Sequence, residues 1–313
     1  MKKCLLRSLL IVCYILVGTD LSKAQFVING LNDINFACIE GDKITEDDFD
    51  ALKKCTLYYI SSASEEDRDS LETVLNTYWT YTKIKVIPSE EYKYALKEKN
   101  SAFLLTSITY SDYSVKTLEL CLLRFKNPKD ENSKITYAKI PLTFDCEYQK
   151  IYEKEKIDGL LQHVTNGQDV NSLKSGVFAS FLVTIQTHLE SMKGIDCNET
   201  IMEKEKLSVL KDETLYITSD VLTRGYCSTA KWDKKELLAK YPFKYKLISF
   251  DELNEKILSD EEFYYMIAYR MGARSVSLNL YDNKNKECLY YEFFSGHEFK
   301  PSRFDKLSKL ISK

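Results

Sequence analysis

Hydroxyl, carboxylate and guanidinium side chains gather where short apolar runs of this chain give way to polar ones. The first half offers Ser61, Ser62 and Ser64, then Ser89, then Thr106 and Ser107. The second offers Thr218, Ser219, Asp220 and Arg224, then Ser249 and Asp251, then Tyr269 and Arg270. If those runs are parallel strands of an open sheet, the positions lie beyond the strands' C-terminal ends, where such sheets bind ligands. Hydroxyls at helix starts can receive an anion together with the exposed amides and the positive end of the helix dipole. The same residue types also cap helices with no ligand present, and capping is the stronger expectation. The candidate ligand contacts are therefore Thr218, Ser219, Asp220 and Arg224, with Ser61 and Ser62 in the first half.

Other chemistries find less to work with. The chain has 3 histidines: His163, His188 and His297. None belongs to an H-E-x-x-H pattern or another close ligand spacing, so a surface or packing role is expected and no metal site. The 10 glycines include no closely spaced set after a first strand, which disfavours a Walker or dinucleotide loop and any nucleotide cofactor. No G-x-S-x-G turn occurs. A pairing of Cys227 with His297 stays open, because catalytic partners need be close only in space.

Nine cysteines fall to seven if an N-terminal signal is removed: Cys38, Cys55, Cys121, Cys146, Cys197, Cys227 and Cys288. No two make a C-x-x-C pair, and an odd number leaves at least one thiol outside any intrachain bridge. Cys121 and Cys288 lie in strand-like runs and are expected as buried thiols. Cys197 and Cys227 flank the start of the second half in polar segments and are the expected disulfide pair.

The elements that must position these groups recur. Thr56-Leu57-Tyr58-Tyr59-Ile60, Lys83-Ile84-Lys85-Val86-Ile87 and Phe103-Leu104-Leu105 are followed downstream by Thr214-Leu215-Tyr216-Ile217, Lys244-Tyr245-Lys246-Leu247-Ile248 and Tyr264-Tyr265-Met266-Ile267. Thr56 and Thr214 stand 158 residues apart, Ile87 and Ile248 161, Phe103 and Tyr264 161. Helical patterns separate the runs: Ser64 precedes a stripe of Leu71, Val74, Leu75 and Tyr78, and Ser249-Phe250-Asp251-Glu252 matches a capping box. In each half an alternating pair of runs then follows, near Leu118 to Phe144 and Val276 to Phe294, as in a hairpin. The chain reads as α/β, with two tandem repeats of a β-α-β-α-β-β-β unit, a three-stranded parallel core plus an antiparallel hairpin, joined by a helical segment. The expected divisions are residues 25–146, inter-unit helices over 147–204, and 205–313 with a closing C-terminal helix. Between the units, Val177, Phe178, Phe181, Leu182, Val183 and Ile185 fall in an uncharged interval from Ser175 to Thr187, predicting a helix buried on most faces and touching both units.

Residues 1–24 have a secretory layout: basic Lys2, Lys3 and Arg7, an apolar run Leu9 to Gly18, and Ser22-Lys23-Ala24 before a mature start at Gln25. Removing them shifts the formal charge from −3 to −6, since four bases and one acid leave. An acidic chain argues against a nucleic-acid partner, and no later run reaches the length of a membrane span. Of 22 tyrosines, many fall on expected strands. Strand packing is the first reading for them, with an exposed contact face as the second. The expected function is that of an exported, non-enzymatic envelope protein, periplasmic or secreted, binding a protein partner or a small ligand. The alternatives are a secreted hydrolase with a strand-end Ser or Cys nucleophile, and a periplasmic ligand-binding protein with a cleft between its units.

Overall fold

The computed structural model describes residues 26–30, 44–61, 64–111, 114–127, 130, 133–141, 174–191, 201–202, 204–224, 228–270, 275–296 and 298–313. These form mixed α/β architecture with two mixed sheets and eight α-helices among the described residues. The first sheet uses β1 (Phe26–Gly30), β2 (Thr56–Ser61), β3 (Lys83–Pro88), β4 (Ser101–Ser111), β5 (Ser114–Phe125) and β6 (Lys134–Pro141). Around it come α1 (Glu46–Lys53), α2 (Glu65–Tyr78) and the one-turn α3 (Tyr92–Ala95). Then follow α4 (Ser175–Ser191), β7 (Ile201–Met202), α5 (Lys204–Leu207), β8 (Leu215–Thr218), α6 (Lys234–Leu237), β9 (Tyr245–Ile248) and α7 (Phe250–Leu258). The chain closes with β10 (Tyr264–Arg270), β11 (Ser275–Asp282), β12 (Glu287–Ser295) and α8 (Pro301–Ser312).

Local chemistry starts the helices where hydroxyls precede acids. Thr45 and Asp48 satisfy each other's backbone amides in a capping box ahead of α1, and Ser249 and Glu252 do the same ahead of α7. The Ser64 hydroxyl accepts the Asp67 amide at the start of α2. Ser89 opens a 3-10 turn over Ser89–Glu91 ahead of α3. Helix α6 is a single turn whose start is fixed by Asp233 accepting the amides of Lys235 and Glu236.

The first sheet runs β3-β2-β4-β5-β6. Strands β2, β3 and β4 are parallel, while β5 and β6 are added antiparallel. Strand β4 outlasts β2: its residues 101–104 pair with β2, and β1 lies parallel along residues 106–110. The second sheet runs β7-β12-β11-β10-β8-β9, with β8, β9 and β10 parallel and the remaining pairs antiparallel. Five consecutive strands therefore pair in one order and sense in both sheets.

Helix α4 lies in the core between these sheets, packed on α2, α7, β6 and β12. Its Val177, Phe178, Phe181, Leu182, Val183 and Ile185 are buried, as its uncharged composition requires. One face meets the first sheet, where the Phe178 ring is 4.9 Å from that of Tyr59. The opposite face meets the second: Ser180 shares a hydrogen bond with Tyr265 at 2.7 Å, and Thr184 one with Tyr281 at 2.8 Å. Those two tyrosines are paired across β10 and β11 and stacked with centroids 5.0 Å apart. Gly176 lets α4 approach α7 closely, because a Cβ there would stand 3.0 Å from Ile257. A continuous apolar core thus contains residues of both sheets, with each fully buried large side chain contributing about 1.5–3 kcal/mol. A second core closes the far face of the second sheet under Phe304, Leu307 and Ile311 of α8.

Candidate functional site

In the first half the described strand-end hydroxyls, Ser61 and Ser64, belong to the fold. Ser61 is buried and Ser64 caps α2. Ser62 lies outside the described residues. The backbone at Thr106 and Ser107 is paired with β1, so a neighbouring strand occupies that end of β4.

The second half holds more exposed chemistry. Thr218 ends β8 fully buried, and its hydroxyl accepts the Ala268 amide at 3.0 Å, fastening β8 to β10 rather than facing a ligand. Ser219 is exposed and begins a 3-10 turn, Ser219–Leu222, in which the Asp220 carbonyl accepts the Thr223 amide. The chain then makes a small hairpin: Thr223 bridges Lys231, the Arg224 amide donates to the Ala230 carbonyl, and the Trp232 amide donates to the Leu222 carbonyl. This brings Arg224 over Trp232, with the guanidinium 3.8 Å from the ring centroid, and sets Arg224 Nε 3.5 Å from Glu298. A guanidinium stacked on an indole keeps its outer N–H groups available. Beneath it, Trp232 Nε1 is buried without a hydrogen-bond partner. Ser219, Asp220 and Arg224 therefore share one strand end, whereas Thr218 belongs to the core. Trp232 and Glu298 were not among the expected residues. The only sequence signal for Trp232 is its position across a short polar excursion from Arg224.

Several expected chemistries end in packing. Ser249 caps α7, and Asp251 pairs with Lys174 beside α4. His188 is buried with its ring 6.0 Å edge-on to Tyr291, and burial lowers its pKa to about 4. Cys55, Cys121 and Cys288 are buried thiols. Burial pushes Cys288 up to about 12 and raises Cys55 as well, so neither is a ready thiolate. The expected Cys197–Cys227 bridge, a Cys227–His297 pair and His163 all lie outside the described residues. Among the described residues no group of three His, Cys, Asp or Glu is placed to hold a metal ion, and no helix is long and apolar enough to cross a membrane.

Seven of the described strand tyrosines are interior. Tyr58, Tyr59, Tyr137, Tyr265, Tyr281, Tyr290 and Tyr291 are all buried, which removes them as an exposed contact face. Two buried carboxylates act as clamps. Glu292 on β12 receives Arg303 at 2.9 Å, Lys306 at 2.7 Å and the Tyr290 hydroxyl at 2.7 Å, fixing α8 to the sheet. Asp48 takes Lys126 at 3.3 Å and Arg124 at 3.5 Å. Burial pushes the Asp48 carboxyl up, but the Thr45 hydrogen bonds and the Lys126 charge outweigh it and hold the carboxyl below its usual range.

No family model, curated protein or solved structure matches the chain.

Proposed function

We propose that this is an exported, non-enzymatic α/β protein that works by binding a protein partner or small ligand on its second sheet, around Ser219, Asp220, Arg224 and Trp232. The observation that carries the reading is the Arg224–Trp232 stack, an exposed cation on an indole whose own N–H is buried without an acceptor. Arginine and tryptophan are the side chains most often found dominating binding surfaces. A core filled by α4 favours such a surface over a cleft between the sheets. The shared pairing order of five strands, together with offsets of 158 and 161 residues, supports descent of residues 25–146 and 205–313 from one duplicated unit. The layout of residues 1–24 supports export.

The test is affinity capture from the native envelope fraction with wild type, Arg224→Ala and Trp232→Phe. Loss of the same bound species in both variants, with unchanged urea midpoints, is the expected result. Substrate turnover that disappears in Ser219→Ala would instead support the hydrolase reading and end this one.

A further inference from the structure

Both sheets end on the same kind of parallel edge, and among the described residues one of the two is sealed. In the first sheet the edge strand is β3. Its pairing with β2 leaves the backbone groups of Ile84 and Val86 pointing away from the sheet, and α2 covers both. Glu72 accepts the Val86 amide at 2.7 Å, and Asn76, one turn on, donates to the Ile84 carbonyl at 3.3 Å. The corresponding edge of the second sheet is β9. There the Leu215 amide donates to the Lys244 carbonyl, and Leu215 is in register with Tyr245. In a parallel ladder this phase turns the backbone of Lys244 and Lys246 toward β8 and that of Tyr245 and Leu247 outward. Strand β9 ends the strand order, and no described residue meets the outward N–H and C=O groups of Tyr245 and Leu247. The sealing helix has no counterpart: between β8 and β9 the chain makes a 3-10 turn, the Arg224 hairpin and the single turn of α6.

The surroundings of this edge specify what it would accept. From Arg224 to Lys246 the chain carries seven basic residues against two acidic ones, in a protein of net charge −3. Lys231, Lys234, Lys235, Lys240, Lys244 and Lys246 are all exposed. Along β9 the side chains alternate. Tyr245 and Leu247 pack half-buried on the outer core, while Lys246 projects on the opposite face, 5.8 Å from the Tyr216 ring. Lys234 stands 5.2 Å over Tyr245. Glu252 of α7, whose carboxyl feels the Lys246 charge, is already engaged in the capping box with Ser249. Edge lysines oppose pairing with a second copy, because that would set lysine against lysine.

We infer, resting on the binding role proposed above, that the outer edge of β9 receives an extended peptide segment of a partner protein as a further strand, acidic on one face and apolar on the other. Main-chain hydrogen bonds to Tyr245 and Leu247 supply the docking. Lys244 and Lys246 select acidic side chains, and the Tyr245–Leu247 face takes the apolar ones between them.

The probe is a synthetic peptide of about ten residues, the upper end of an ordinary strand, alternating glutamate with valine. It is titrated into the full chain by calorimetry and by amide hydrogen exchange. The expected results are binding, new protection at the Tyr245 and Leu247 amides, and loss of binding when the peptide's alternate amides are N-methylated. Lys244→Gln with Lys246→Gln should weaken binding about tenfold or more. Leu247→Pro should abolish it, since proline removes the outward N–H yet leaves the hydrogen bonds to β8 in place. If Leu247→Pro fails to fold, the lysine pair and the N-methylated peptide decide. An N-methylated peptide that binds as well as the parent, or polygalacturonate that protects the surface equally, would show plain charge attraction and overturn the strand-addition mode. Failure of the peptide alongside Arg224-dependent capture would remove this mode while leaving the binding role intact. Capture that ignores Arg224 would remove the role itself.

Discussion

His188 shows how burial turns a residue with catalytic potential into a stability term. Its imidazole is held neutral, with a pKa lowered to about 4 from an ordinary 6.5. The unfolded chain therefore binds an extra proton between those values, so stability falls as pH drops from about 6.5 to 4 and levels off below. The effect is on the order of 3 kcal/mol. Urea midpoints measured across that window should fall less steeply in His188→Phe than in wild type. Equal slopes would place the histidine in solvent. Glu292 makes a complementary case. Glu292→Gln removes the charge that Arg303 and Lys306 share and weakens the acceptor for the buried Tyr290 hydroxyl. A loss of about 1–3 kcal/mol is expected, because both cations are partly exposed and can be hydrated again.

At the scale of elements, the close approach of α4 and α7 depends on Gly176. Gly176→Ala would set a methyl 3.0 Å from Ile257 and 3.1 Å from the Asn254 carbonyl. A cost of about 1–3 kcal/mol should appear as a lowered urea midpoint, and Ile257→Ala should relieve part of it in the double variant. Most elements are legible in the residues alone. The runs at Thr56, Lys83 and Phe103, and their downstream counterparts, become strands because apolar and β-branched residues recur there between capping signals. The uncharged interval after Ser175 becomes the buried helix for the same reason. Strands β1 and β7 escape such reading, since runs of five and two residues gain their identity only from the neighbour they pair with. The site was less legible. Thr218 and Ser219 are adjacent and chemically alike, yet one faces β10 and the other solvent. The unsealed edge is a relation between two strands and a helix: Glu72 and Asn76 are ordinary helix-surface residues until β3 is set beside them.

At the scale of the whole molecule, α4 makes the two sheets interdependent. Phe178→Ala, although it removes a contact with the first sheet at Tyr59, should destabilise both sheets together by about 3–5 kcal/mol in a single urea transition. Two separated transitions in wild type would show that the shared core does not couple them. Two sheets of matching strand order around one helix also differ outwardly in one respect that bears on function. The first has its parallel edge closed by its own helix, and the second leaves that edge open amid lysines. Native-state amide exchange in the intact chain tests this asymmetry most directly. Val86, whose N–H is bound by Glu72, should exchange slowly, while Tyr245 and Leu247 should exchange close to the rate of unprotected amides. Protection of Leu247 equal to that of Val86 would contradict the open edge.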